Sequence, residues 1–351
     1  MKKWEENIRK VEPYVPGEQP QKKVIKLNTN ENPYPPAPGV AKALNSMDTD
    51  ELRKYPDPTS ESLVCEMAKF YGVKKEQVFV GVGSDDVLAM SFLTFFNSGK
   101  PILFPDLTYS FYKVWAELFG IPYECPKLDK DFRIQRQDYY NENGGIIFPN
   151  PNAPTGIYEN LDFVEDILKH NEDVIVIVDE AYIDFAGPSA VLLLEKYDNL
   201  LVVQTFSKAR SMAGMRIGYA IGNERLIRYL NDVKYSFNSY TMSRAALLAG
   251  VESVRDRSYF EKTTEEIIKT REWAKGEFLR LGFSFPDSKA NFLFVTHPDH
   301  EAKEIFEKLK ECDVYVRYFG GERTGRYLRV SIGTKEEMEK LFDALGRILT
   351  R

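Results

Sequence analysis

The sequence predicts an α/β protein with a mainly parallel sheet in a large domain and a smaller α+β domain at the C-terminal end. Three observations predict it. Between residues 60 and 240, short β-branched runs alternate with amphipathic stretches, the pattern of strands covered by helices on both faces. Beyond Thr241 the texture changes to long, charged, amphipathic helices followed by further apolar runs. At 351 residues the chain suits one large domain plus a smaller one.

Composition narrows the class of partner. A net charge of -6 gives no reason to expect nucleic acid or an anionic membrane. The stretch from Met1 to Glu18 carries charge and proline without an apolar segment, so no secretory signal is expected. No run approaches the roughly 18 apolar residues of a membrane span. Cys65, Cys125 and Cys312 are scattered, which fits neither a disulfide framework nor a zinc knuckle and points to a reducing, cytoplasmic setting.

Taken in order, residues 1–58 read as an arm and crossover, because LNTNENPYPPAP from Leu27 to Pro38 holds too many prolines for a helix. Residues 59–240 form the expected large domain. It opens with a helix from Ser60 to about Tyr71, a strand at Val78–Val80, a helix from Asp85 to about Phe96 and a strand at Ile102–Phe104. Further strands are expected at Gly145–Phe148, Val174–Val178 and Leu200–Thr205. Residues 241–351, joined by part of the arm, form the expected small domain, with strands at Phe292–Val295, Val314–Tyr318 and Tyr327–Ile332 and a closing helix from Lys335.

In parallel sheets ligands sit at the carboxyl ends of the strands, so the residues placed there carry the chemistry. Asp179 ends one strand, where an ionised carboxylate is costly unless a cation or donor meets it. A protonated heterocyclic nitrogen supplies both; a helix cap is the plainer use of the same residue. The next strand runs into Ser207 and Lys208, with Arg210 and Arg216 beyond. A partly desolvated lysine near other cations is a nucleophilic amine toward an aldehyde, and Thr205, Ser207 and Arg216 make a phosphate clamp beside it.

Val78–Val80 leads into Gly81, Val82, Gly83, Ser84, Asp85 and Asp86, small and polar residues that open a helix and favour an anion there. GVGSDD lacks the third glycine of a dinucleotide fingerprint and the lysine of a P-loop. Tyr109 follows another strand, where an aromatic side chain stacks on a planar ring or fills core. The loop NPNAPTG, Asn150 to Gly156, offers an amide to a phenolic oxygen. An amine, a carboxylate, a phosphate cup, an aromatic lid and hydrogen-bond donors together suit pyridoxal 5′-phosphate (PLP). His297 and His300 beside Asp299 and Glu301 read as a surface turn, and no metal site is expected.

These residues resemble the fold-type I PLP enzymes, and within them the class II aminotransferases. TFSKARSMAGMRIG (Thr205 to Gly218), VDEAY and PNAPTG carry the resemblance across the large domain. PYVPG, LNTNENPYPP, KYPDP, ANFLFV, VRYF and YLRVSIGT extend it from end to end as similarity to the histidinol-phosphate aminotransferase family. The resemblance implies a seven-stranded, mainly parallel sheet and exchange of an amino group between histidinol phosphate and 2-oxoglutarate, giving imidazole-acetol phosphate and glutamate. It implies that Lys208 carries PLP as a Schiff base, that Asp179 pairs with the ring nitrogen and that Tyr182 donates to the phenolic oxygen. Tyr109 then stacks on the ring, while Gly83, Ser84, the Asp85 amide, Thr205, Ser207 and Arg216 hold the cofactor phosphate. Tyr55 is expected to reach the phosphate of a neighbouring subunit in a homodimer. Arg317 and Arg329 are expected to take substrate phosphate or carboxylate, with Tyr14 and Asn291 lining the same pocket.

Two positions depart from the family pattern. Ala153 stands where a second asparagine is common, so the phenolic-oxygen amide is expected from Asn152; Asp86 stands where Glu is common. Threonine-phosphate decarboxylases and aromatic-amino-acid aminotransferases of the same fold remain the competing reading, because the sequence does not show which Cα bond is broken.

Overall fold

The structure, a computed structural model, describes residues 2–350. Its strands in chain order are β1 (Ile25–Lys26), β2 (Val78–Gly81), β3 (Ile102–Leu103), β4 (Tyr123–Glu124), β5 (Ile146–Pro149), β6 (Val176–Asp179), β7 (Leu200–Thr205), β8 (Gly218–Gly222), β9 (Phe292–Val295), β10 (Val314–Tyr315), β11 (Arg317–Tyr318) and β12 (Leu328–Ser331). Seven of them form one sheet in the order β2-β8-β7-β6-β5-β3-β4, with only β8 antiparallel to its neighbours. The mainly parallel, seven-stranded expectation holds.

Successive side chains along these strands enter opposite layers. Val78, Val80, Ile146, Phe148, Val176, Val178 and Val202 pack with Leu63, Phe163, Val164 and Ile167 from helices Glu61–Tyr71 and Leu161–His170. Phe79, Ile147, Ile177, Leu201 and Val203 pack with Val87, Leu88, Trp115 and Leu230 from helices on the other face. Both faces are therefore dry, which is why these strands read as continuous apolar runs. Helix Arg244–Arg255 lies just past the boundary expected at residue 240, yet its Ala246, Leu247 and Ala249 pack into the large-sheet core.

The second layer system contains the antiparallel sheet β11-β12-β9, covered by helices Arg257–Arg280, Ala302–Glu311 and Lys335–Leu349. The amino-terminal arm joins it: β1 pairs in parallel with β10. The run Val314–Tyr318, expected as one strand, is therefore two, and the chain changes partners at the buried Val316.

Strand β8 was not expected from the sequence, because GYAIG contains residues of low strand propensity. Close approach explains them. A Cβ at Gly218 would lie 2.2 Å from both the Gly83 carbonyl carbon and the Ser84 nitrogen, so only glycine lets β8 pass against the loop that begins helix Ser84–Phe95. Gly218→Ala is expected to lower the unfolding free energy by about 2 kcal/mol or more, read from urea denaturation; an unchanged midpoint would refute the close-approach account.

Candidate active site

The carboxyl ends of β2, β5, β6 and β7 meet at one edge, and the loops leaving them line an inner chamber of about 240 Å³. Ser84, Asp85, Tyr109, Asp179, Tyr182, Thr205, Ser207, Lys208 and Arg216, all expected from the sequence, stand in its wall. A wider outer chamber of about 470 Å³ shares Thr29, Tyr109, Ala153, Tyr182 and Lys208 with it and is bounded by Tyr14, Arg317, Phe319 and Arg329. Lys208 thus stands where the two spaces join.

At the floor of the inner chamber Asp179 is 4 % exposed. Its carboxylate accepts from the Tyr112 hydroxyl at 2.7 Å and from the Ala181 amide at 3.2 Å. Burial outweighs these donors and pushes its pKa from 3.8 up to about 6. No salt bridge reaches it among the described residues, so the carboxylate is solvated by neutral donors alone.

The opposite end is built to take an anion. Gly83, at φ +85°, precedes helix Ser84–Phe95 and lies beneath Arg216; a Cβ there would meet the guanidinium at 2.4 Å. Arg216 itself has a left-handed backbone at φ +51°, a conformation a non-glycine residue holds only when its surroundings require it. Its Nη2 donates to Asp85 at 3.0 Å, and Asp85 also accepts from the Tyr109 hydroxyl at 2.7 Å. The Thr205 hydroxyl donates to Ser207 Oγ at 2.9 Å and accepts from the Ser207 amide at 3.1 Å. Two hydroxyls, a guanidinium and a helix amino terminus therefore converge.

Lys208 Nζ donates to the Thr29 carbonyl at 3.2 Å and lies 5.7 Å from the centre of the Tyr182 ring. In the outer chamber Arg317 and Arg329 face each other in register across β11 and β12. Neither has an acidic partner among the described residues: Arg329 Nη2 donates to the Asn28 carbonyl at 3.0 Å, and Arg317 to the carbonyls of Val15 and Pro16. Arg329 lies between the Phe292 and Phe319 rings, and its buried Nε has no partner. Burial lowers its pKa, and the neighbouring Arg317 charge acts in the same direction. A half-buried cation so placed calls for an anion.

Three expected residues sit elsewhere. The Asn152 amide is turned away from the chamber, donating to the Leu107 carbonyl at 3.0 Å and to Thr155 Oγ1 at 3.2 Å while its oxygen accepts from Thr108. Ala153 is the loop residue that faces both chambers, so the amide expected from Asn152 is absent. Asn291 is fully buried and donates to the Asn30 carbonyl at 3.0 Å, behind the wall it was expected to line. Tyr55 is 78 % exposed, outside both chambers, and stacks on Tyr240 with ring centres 4.5 Å apart. Tyr14 does line the outer chamber, stacked on Phe111 at 4.3 Å.

Sequence reasoning missed Tyr112, the donor to Asp179, although it falls three residues after Tyr109 where a helix begins. It also gave no role to Thr29 and Asn30, which lie within a quoted arm motif.

A phosphorylated aldehyde whose ring nitrogen can be protonated fits this donor set: an amine at one end, an unpaired carboxylate at the floor and an anion cup roofed by Arg216. Aminotransferase class I and II is the family that matches, over residues 22–345, and the chain belongs to it. A histidinol-phosphate aminotransferase of Clostridium botulinum (strain Okra / Type B1) is 51% identical over 351 residues, covering 100% of this chain and 99% of its own. Within the class, the chain is therefore a member of the histidinol-phosphate aminotransferase family. Two solved structures share the fold with a TM-score of 0.84 and 23% identity over 93% of this chain. One is histidinol-phosphate aminotransferase from Sinorhizobium meliloti in complex with pyridoxal-5′-phosphate, matched over 90% of its length; the other is the enzyme from Clostridium acetobutylicum, matched over 99%.

The raised pKa of Asp179 gives a pH-dependent cost. Between the unfolded value near 3.8 and the folded value near 6 the folded chain binds the extra proton, so stability falls as pH rises through this window and the full penalty applies above it. In cofactor-free protein, Asp179→Asn is expected to remove this part of the decline, worth roughly 2 kcal/mol between pH 4 and pH 7. Denaturant titrations at pH 4 and pH 7 check it; parallel losses in the two proteins would refute the assignment.

Proposed function

We propose that the chain transfers an amino group between histidinol phosphate and 2-oxoglutarate, yielding imidazole-acetol phosphate and glutamate, a step of histidine biosynthesis, with PLP in the inner chamber. The observation that carries the substrate choice is the pair Arg317 and Arg329, which faces the space beside Lys208 without any acidic partner among the described residues. A guanidinium fork suits phosphate and carboxylate alike, as an enzyme with one phosphorylated and one dicarboxylic substrate requires.

When bound, PLP supplies an electron-withdrawing ring that stabilises charge at the substrate carbon losing its proton. The places of the protein groups support the following roles. Lys208 would hold the aldehyde end of the cofactor, and its amine would move the proton at the substrate Cα. Asp179, enclosed and short of a cation, keeps the ring nitrogen protonated. Tyr182 donates to the phenolic oxygen, and Tyr109 covers a ring face. Ser84, the Asp85 amide, Thr205, Ser207 and Arg216 take the phosphate, with Gly83 leaving room for the guanidinium.

The homodimer belongs to the same reading. Leu52, Tyr55, Phe237 and Tyr240 leave large apolar surfaces in solvent, and a second copy covering them would bring Tyr55 towards a neighbouring cofactor phosphate. The three free cysteines accord with the cytoplasm. No helix among the described residues is long and apolar enough to cross a membrane.

A product assay tests the reaction: glutamate and imidazole-acetol phosphate should appear together, whereas carbon dioxide release from phosphothreonine without amino transfer would replace this reading with a decarboxylase. Lys208→Ala is expected to abolish the borohydride-trapped pyridoxyl peptide and to cut turnover by roughly a thousandfold or more. Arg317→Ala is expected to raise the KM for histidinol phosphate by about tenfold while that for glutamate changes far less; equal losses would contradict a phosphate-directed role.

A further inference from the structure

The Tyr182 hydroxyl is not free to turn. It lines both chambers and accepts a hydrogen bond from Asn30 Nδ2 at 2.9 Å. Asn30 is 1 % exposed and has a left-handed backbone at φ +56°, a conformation asparagine tolerates better than most residues. Its backbone amide donates to Ser331 Oγ at 2.8 Å, and the Ser331 hydroxyl donates back to Asn30 Oδ1 at 3.0 Å. This reciprocal pair fixes which end of the amide faces which neighbour. If the amide were reversed, the buried Ser331 hydrogen would lose its acceptor, so Nδ2 must point at the tyrosine.

The consequence falls on the proton of Tyr182. With its oxygen accepting from Asn30, the hydroxyl hydrogen has no acceptor among the described residues and is left for the chamber. The loop after β5 cannot substitute, since it contributes only Ala153 to the inner wall and its Asn152 amide bonds Leu107 and Thr155 instead. Ser331 also stands two residues from Arg329 on β12, so both side chains lie on one face of that strand. Lys208 and Arg329 are charged groups beside this tyrosine, Asp179 shares the inner chamber with it, and Asn30 adds a fixed dipole with no net charge.

We infer that Asn30 is a positioning residue: together with Ser331 it makes Tyr182 a one-way hydrogen-bond donor into the cofactor chamber, and it joins that donor to the strand carrying Arg329. The inference rests on the PLP reading above and adds a residue to it. A donor at the phenolic oxygen takes up negative charge that would otherwise hold the proton on the nitrogen joining lysine and cofactor. It therefore lowers the pH at which that proton leaves.

The test is a pH titration of the visible absorbance of the holoenzyme. Tyr182→Phe should raise the midpoint by about one unit, and Asn30→Gly, which keeps the left-handed backbone and deletes the amide, should raise it by roughly half as much or more. In the double variant the midpoint should equal that of Tyr182→Phe alone, because Asn30 acts only through the tyrosine. A midpoint unmoved by Asn30→Gly, or an Asn30 shift that persists in full without the tyrosine hydroxyl, would overturn the inference. If Asn30→Gly yields no folded holoenzyme, Ser331→Ala releases the amide more gently and should give a smaller shift in the same direction; no shift there also overturns it. An unmutated protein that shows no visible band with PLP would instead remove the cofactor reading, and this inference with it.

Discussion

Charge enclosed without counter-charge is the condition on which the rest of this structure depends. Asp179 is buried and Arg329 half-buried over two aromatic rings; they carry opposite signs and are not paired with each other. Neutral donors and acceptors hold each of them in place, which is costlier than water or an ion pair would be. Folding to an apolar sheet on one side and a packed small domain on the other supplies enough burial to maintain both. What remains is a cavity with an electron-rich floor and an electron-poor outer wall, where a ligand of matching charges would complete both pairs.

Arg329 and Lys208 are held by one segment with no regular structure. Leu27 is held from both sides, donating its amide to the Tyr315 carbonyl and accepting from the Ser331 amide, so the arm fills the gap between β10 and β12. The next three carbonyls then take three different donors: Asn28 from Arg329, Thr29 from Lys208 and Asn30 from Asn291. Asn32 adds bonds to the Lys208 and Ala209 carbonyls. A helix or strand would spend these carbonyls on its own ladder. Extended, proline-rich chain leaves them free, and this is the physical use of LNTNENPYPP.

That contrast explains what was legible in the sequence. Residues at the ends of apolar strands could be read because burial on both faces leaves a visible run and a sharp boundary, as at Asp179 and Lys208. Strand β8 could not, since its first glycine, Gly218, answers a steric demand from Gly83 and Ser84, far away in the chain. The direction in which Asn152 points was hidden for a related reason: the alternation of facing that holds within a strand fails in a loop, where Leu107 and Thr155 decide the rotamer. Asn30 and Tyr112 were present in quoted or neighbouring segments. Their roles lie in contacts with Tyr182 and Asp179 that span many residues, and periodicity carries no information about such pairs.

The two arginines of the outer wall are opposite in register yet differ in freedom, and the difference bears on how one pocket serves two anions. Arg329 is clamped between Phe292 and Phe319 and tied to Asn28, so its charge is fixed. Arg317 is half-buried, lies over the Phe319 ring alone, and makes long bonds of 3.3 and 3.5 Å to carbonyls of the arm. In the proposed reaction a fixed guanidinium would set the common point to which either anion is drawn, and a looser one would adjust to the size and charge of what arrives. The arm that restrains Arg317 also carries Tyr14, which stacks on Phe111 of the large domain. Arg323 makes a second bridge between the domains, with its guanidinium on Asp106 and the Asp129 carbonyl. The segment that bonds Arg317 and Arg329 thus also packs against the helix after β3, so the setting of the two guanidinium groups and the joining of the two sheet systems share one stretch of chain.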